Sequence, residues 1–125
     1  MITVRVPQDK KFDYGACRAL YENLNDRIQD GDFDDVINRT QFFSFYITST
    51  NELIGCIYYY EKENKLFVNA FANRKHHRLN LECLKETFKW FDSDIYATSK
   101  HKTAILCLYR CGFKKINDNT FVYRR

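Results

Sequence analysis

The sequence predicts one α/β domain, of the α+β type, in which helices pack on a mixed, mostly antiparallel central sheet. Its 125 residues suit a single hydrophobic core. Aromatic residues make up 17% of the chain, mostly Phe and Tyr, and such residues favour half-buried strands. Strand-like alternation and helix-like periodicity follow one another without a linker, a repeat or a low-complexity tract. We therefore expect residues 1–125 to form a single domain.

The N-terminal third is predicted to contain one strand and two helices. Ile2–Val6 alternates apolar and polar residues and stops at Pro7, as a short edge strand does. Tyr14–Ile28 has apolar residues at helical spacing, which predicts a helix. The stripe consists of Cys17, Leu20, Leu24 and Ile28. A short second helix follows, with either Asp32 or Asp34 as its cap.

The middle of the chain is typical of an antiparallel meander. Three runs rich in aromatic and β-branched residues are Gln41–Thr48, Leu53–Tyr60 and Lys65–Ala72. The short polar segments Ser49–Glu52 and Glu61–Asn64 separate them and are expected to be the turns.

Helical periodicity returns after the meander. An amphipathic stripe predicts a long helix, formed by Leu81, Leu84, Phe88 and Phe91. Ile95–Thr98 is predicted to be a strand, and Thr103–Cys111 a helix that Gly112 ends. Phe113–Ile116 and Thr120–Tyr123 form a final hairpin. The resulting order is β-α-α-β-β-β-α-β-α-β-β, with one right-handed parallel crossover around the long helix.

Charge is unevenly distributed along the chain, although the net charge is only +4. Residues 26–35 hold five aspartates against one arginine, whereas residues 74–78 hold three cations and two histidines. This separation of charge would let one surface bind a cation and another bind an anion. The simpler alternative is that both charged segments are only solvated helix ends and loops. The modest net charge argues against nucleic-acid binding as the main role, despite basic residues at Lys100–Lys102 and Arg124–Arg125.

The cysteine pattern and the N-terminus favour a reducing compartment. The five cysteines are dispersed and odd in number, so buried free thiols are expected. Cys107 and Cys111 lie four residues apart, but no further ligands with zinc-site spacing accompany them, and no metal site is predicted. Since neither a secretory signal nor a membrane-spanning segment is evident, we expect a cytoplasmic protein.

The last helix and one basic segment resemble the GCN5-related N-acetyltransferase (GNAT) superfamily. Thr103–Phe113 (TAILCLYRCGF) is similar to that family's final helix, with Ala104 eight residues before Gly112. Arg74–Leu79 (RKHHRL) lies where the family holds the pyrophosphate of acetyl-CoA, between a strand and a long helix. The resemblance spans the chain and implies helices on both faces of the sheet.

This resemblance implies a site for acetyl-CoA or another acyl-CoA. A helix N-terminus with nearby cations suits phosphate groups, and a backbone amide near a bulge in the fourth strand would hold the thioester carbonyl. The implied cofactor-binding residues are Asn69, Ala70, Phe71, Arg74, Lys75, His76, His77, Arg78, Leu79 and His101.

Four positions depart from the family's pattern. His77 and Leu79 replace glycines of the phosphate loop, and His101 replaces an asparagine. In the family, a tyrosine of the last helix protonates the departing thiolate, and Leu108 stands at that position here. The adjacent Tyr109 is therefore the candidate acid, although it lies about a hundred degrees further around the helix.

Two groups of residues are candidates for binding the acceptor. Tyr58 and Tyr60 share one face of a strand and would line a groove, although sheet packing explains them equally well. Asp30 and Asp32 would attract a cationic amine, with helix capping as the alternative.

Two functions remain open at this stage. The first is transfer of an acetyl group from acetyl-CoA to a small-molecule or protein amine. The second is a catalytically inactive GNAT-like protein with a structural or interaction role, because the glycines and the tyrosine are missing. The chain is also similar to small GNAT-like proteins of tailed phages, which implies a location in the host cytoplasm or the virion. Its expected partner is a second copy of the chain, in a homodimer, or another protein of the virion.

Overall fold

The computed structural model describes residues 2–23 and 32–125. The predicted helical residues Leu24 and Ile28 and the acidic residues Asp26 and Asp30 lie outside the described residues. Among the described helices, none has the length and apolar character needed to cross a membrane.

The order of the described elements confirms the predicted order. The strands are β1 (Thr3–Arg5), β2 (Phe42–Ile47), β3 (Leu53–Lys62), β4 (Lys65–Ala72), β5 (Ile95–Thr98), β6 (Lys114–Lys115) and β7 (Thr120–Tyr123). The α-helices are α1 (Tyr14–Asn23), α2 (Phe33–Arg39), α3 (His77–Thr87) and α4 (Lys102–Arg110). Short 3-10 turns, Arg74–His76 and Phe88–Trp90, flank α3.

The strands form one mixed sheet in the order β1-β2-β3-β4-β5-β7-β6. Every neighbouring pair is antiparallel except β4 and β5, which are parallel because α3 connects them as a crossover. The predicted mixed, mostly antiparallel sheet is therefore confirmed.

Two hydrophobic clusters cover the two faces of this sheet. Strand alternation places Tyr59 in the cluster that contains α3 and α4 residues, and Tyr58 in the cluster that contains α1 and α2 residues. The Tyr59 hydroxyl is paired with the Thr87 hydroxyl at 2.5 Å, so a buried polar group of β3 is satisfied by α3. Helices consequently lie on both faces, as the resemblance implied.

The predicted ends of two helices are confirmed in detail. Asp32 caps α2, because its Oδ1 accepts a hydrogen bond from the Asp35 amide at 2.9 Å. Gly112 follows the C-cap residue of α4, Cys111, and has φ +97°. The Phe113 amide donates to the Leu108 carbonyl at 3.0 Å. This is a Schellman ending, in which a glycine takes the left-handed position.

The hairpin between β3 and β4 is tighter than the sequence predicted. The strand continues through Lys62, which pairs with Lys65, so the turn contains only Glu63 and Asn64. Both have positive φ, 54° and 63°, as in a type I′ turn. Glutamate is poorly suited to that conformation because its Cβ crowds the backbone.

We expect Glu63→Asn combined with Asn64→Gly to stabilise the protein by about 0.5–1 kcal/mol, because Asn-Gly is the preferred type I′ pair. Urea unfolding measures the effect. Glu61→Asn is the matched control, since Glu61 is an exposed glutamate in the extended part of the same hairpin. An unchanged or lower unfolding midpoint for the turn variant would contradict the expectation.

Candidate functional site

A cleft opens where the two parallel strands diverge. β4 and β5 pair at Leu66–Ile95 and Phe67–Tyr96, and their remaining residues separate. The cleft between them has a volume of about 660 Å³. One wall is formed by the second half of β4 and the first turns of α3, and the other by the end of β5 and the start of α4.

The β4 wall presents peptide groups that have no strand beside them. The Asn73 amide donates to the Ile54 carbonyl at 2.9 Å, and the β3–β4 register continues from that pair. The hydrogen-bond direction alternates along a strand, so every second β4 residue, counted back from Asn73, bonds to β3. Ala70 and Ala72 are the residues in between, and their peptide groups point away from β3 and towards the cleft. The Ala70 amide donates to its neighbour's side chain, Asn69 Oδ1, at 2.8 Å.

The expected bulge in the fourth strand is not observed. The β3–β4 register is continuous from Gly55–Ala72 to Lys62–Lys65, so Asn69, Ala70 and Phe71 lie in regular strand. The irregularity lies in β3 instead, where Tyr46 pairs with Gly55 but Ile47 pairs with Leu53. The β4 peptide groups that face the cleft therefore lack a strand partner because the strands splay, and not because of a bulge.

The 3-10 turn that leads into α3 is fixed to β3 by Asn73. Its Oδ1 accepts from the Lys75 amide at 3.2 Å, and its Nδ2 donates to the Leu53 carbonyl at 3.1 Å. Arg74 and His77, which follow, line the cleft and are exposed. The helix N-terminus adds a partial positive charge at the same end of the cleft.

The basic segment is divided between two environments. Lys75 Nζ and His76 Nε2 lie 2.8 and 2.7 Å from the two carboxylate oxygens of Glu52. The hydrogen bonds from Lys75 and then from His76 lower the pKa of the Glu52 carboxyl. The residues that line the cleft do not include Lys75 or His76, nor do they include Arg78 or Leu79. Successive residues point in different directions because this segment winds into a helix.

A second basic wall faces the first one. Lys100, His101 and Lys102 line the cleft at the junction of β5 and α4. Sequence reasoning selected only His101 for a cofactor, although the Lys-His-Lys run before a helix was a visible signal. Among the described residues that line the cleft, none is Asp or Glu. The cleft therefore suits a polyanionic ligand.

Tyr109 does not line the cleft. Its side chain is 47% exposed, and its ring packs edge-on against Phe121 at 5.7 Å between centroids. Leu108 lines the cleft in its place, since one residue of rotation separates the two.

The expected acceptor residues are also absent from this cleft. Tyr58 is 1% exposed in the core under α1 and α2, and Tyr60 stacks on it. Both face away from the α3 side because of strand alternation. Asp32 is occupied as the α2 cap, and Asp30 lies outside the described residues.

Few groups in the cleft are suited to acid–base chemistry. Besides the cationic residues, the titratable side chains are His77, His101 and Cys107. Cys107 is half-buried, and like the other cysteines it is not in a disulfide. No group of three His, Cys, Asp or Glu side chains among the described residues is arranged to hold a metal ion.

The fold has close structural neighbours, although no protein-family model and no curated protein sequence matches the chain. A GNAT-family acetyltransferase from Staphylococcus aureus Mu50 superposes with a TM-score of 0.65 at 15% identity, covering 99% of both chains. The ribosomal-protein-S5-alanine acetyltransferase from Vibrio fischeri gives 0.71 at 11% identity, over 97% of this chain and 90% of that one.

A third neighbour is a spermidine N-acetyltransferase from Vibrio cholerae, a dodecamer, with a TM-score of 0.66 at 14% identity over 98% of this chain and 93% of that one. At these identities the comparison addresses architecture alone. The element order, the splayed parallel pair and these superpositions together show that the chain has the GNAT acetyltransferase fold.

Proposed function

We propose that this protein transfers an acetyl group from acetyl-CoA to an amine. The observation that carries the proposal is the cleft between β4 and β5, with cations on both walls and strand-edge peptide groups on the β4 wall. Phosphates would lie near Arg74, His77 and the α3 N-terminus. The amide-bearing arm of the cofactor would run along Ala70 and Ala72, as an added strand does.

The reaction would proceed by direct attack within this cleft. The amine nitrogen attacks the thioester carbonyl carbon, the C–N bond forms and the C–S bond breaks. The nitrogen loses one proton and the sulfur gains one, so the products are an amide and free CoA. Thiols are far stronger acids than alcohols, with a pKa of about 8.5 for the side chain of free cysteine, so thiolate departure does not require a strong enzymatic acid.

Amines are the acceptor class that the structural neighbours favour. Their names specify spermidine in one protein and the alanine of a ribosomal protein in another. By analogy with them, we propose a small-molecule or protein amine for this chain.

Calorimetric titration with acetyl-CoA tests the cofactor, and release of free CoA in the presence of an amine panel tests the transfer. We expect micromolar binding and amine-dependent turnover. No heat of binding at about millimolar acetyl-CoA would reject the proposal, because that limit corresponds to only about 4 kcal/mol of affinity.

The variant Tyr109→Phe tests whether Tyr109 is the general acid, as the sequence predicted. Because the Tyr109 ring lies outside the cleft, we expect turnover to stay within about twofold of wild type, well below the 10²–10⁴-fold effect of a general acid. Steady-state turnover with the best amine of the panel is the measurement. A loss of a hundredfold or more would restore Tyr109 as the acid.

A second candidate function is a non-catalytic role by interaction, such as that of a phage structural component. Two observations favour it: Leu108 stands in the cleft where the fold's usual acid is expected, and no carboxylate of the described residues lines the cleft. Acetyl-CoA binding without turnover of any amine would support this second function over the first.

A further inference from the structure

Asn80 carries a polar group in the cleft that the fold leaves unsatisfied. The residue lies in the first turns of α3, lines the cleft and is 5% exposed. Its carboxamide oxygen is buried and has no hydrogen-bond partner among the described residues. Leaving such an acceptor unpaired costs about 1–3 kcal/mol, so the carboxamide is expected to take the orientation that avoids this cost.

Gly55 makes room for this carboxamide on the sheet. A Cβ at Gly55 would overlap the carboxamide oxygen of Asn80 and lie 2.7 Å from the Phe71 carbonyl oxygen. Two acceptor oxygens therefore border the same small space above β3, and no hydrogen bond is donated to the one on Asn80. This is an unfavourable arrangement for two partial negative charges.

Turning the carboxamide over by half a rotation removes the conflict. The oxygen and the NH2 group are nearly equal in size, so packing is unchanged, and their assignment follows from the hydrogen bonds they make. The NH2 group then lies on the same side as the Phe71 carbonyl. The oxygen takes the other carboxamide position of this cleft-lining residue, which is not among the buried side-chain atoms without a partner.

We propose that Asn80 is a specificity residue whose carboxamide oxygen accepts a hydrogen bond from an N–H or O–H group of the bound molecule. This rests on the proposed function, because the pantetheine arm of an acyl-CoA carries two amide N–H groups and a hydroxyl. Asn80 would distinguish that arm from the phosphates, which offer acceptors and no donors at neutral pH.

The test compares two ligands on Asn80→Ala and Asn80→Leu. Coenzyme A has the arm, and adenosine 3′,5′-bisphosphate has the nucleotide without it. We expect the dissociation constant for CoA to rise about five- to tenfold in both variants, the effect of one lost hydrogen bond, and that for the bisphosphate to stay within about twofold.

Cys83→Ala is the matched control, because Cys83 is buried on the same helix and does not line the cleft. It should lower thermal stability and leave both dissociation constants unchanged. Equal weakening of both ligands by the Asn80 variants, or no weakening of CoA, would overturn the assignment. Failure of the wild-type protein to bind CoA would instead reject the proposed function.

Discussion

Removing the arginine and the histidine that line the cleft at the start of α3 should weaken acetyl-CoA binding by about 10- to 100-fold. The variant is Arg74→Ala with His77→Ala, since both residues line the cleft beside the helix N-terminus. A hydrogen bond to a charged group contributes about 1.5–3 kcal/mol, so even one such contact accounts for a tenfold change. Calorimetric titration of both proteins at one salt concentration gives the ratio.

Lys75→Ala with Arg78→Ala is the matched control for this experiment. The same short segment contributes these two cations, but neither lines the cleft, and Lys75 is paired with Glu52. We expect this variant to bind within about twofold of wild type, because neither side chain lines the cleft and salt screens charges that are exposed to solvent. Similar losses in both variants would mean that net charge, and not the position of Arg74 and His77, produces the affinity.

Gly55→Ala should lower the free energy of unfolding by about 2 kcal/mol, a typical cost of overpacking a tight core. The added methyl would lie 2.7 Å from the Phe71 carbonyl oxygen, which β4 cannot move without disturbing its pairing with β3. It would also overlap the Asn80 carboxamide, which is a side chain and yields more easily. Urea unfolding monitored by circular dichroism measures the loss.

Two further variants separate the causes of this loss. Gly15→Ala is the control, because a Cβ there meets only Asp13 at 3.4 Å and lies in helix α1, where alanine is favoured. Adding Asn80→Ala to Gly55→Ala should recover part of the stability by relieving the side-chain overlap. Full stability of the Gly55→Ala protein would show that β3 and β4 have more freedom here than the packing indicates.

The element order was determined by the sequence because it depends on local periodicity. The run of aromatic and β-branched residues in Leu53–Tyr60 and the stripe from Leu81 to Phe91 are each formed by residues close together in the chain. The helix stop at Gly112 is equally local, since one glycine supplies the left-handed conformation. These signals were sufficient to predict the mixed sheet and its single parallel pair.

The composition of the site was decided by tertiary structure. Four consecutive residues have two different environments. Arg74 and His77 line the cleft, whereas Lys75 and His76 are paired with Glu52. They differ because a helical turn points successive side chains in different directions. Tyr58 became core because helices cover its face of the sheet.

The second cationic wall and the unsatisfied Asn80 line one cleft because β4 and β5 diverge in space, which the sequence does not reveal. Local sequence determines which residues form each helix or strand. Contacts between residues far apart in the chain determine which of their side chains share a cleft.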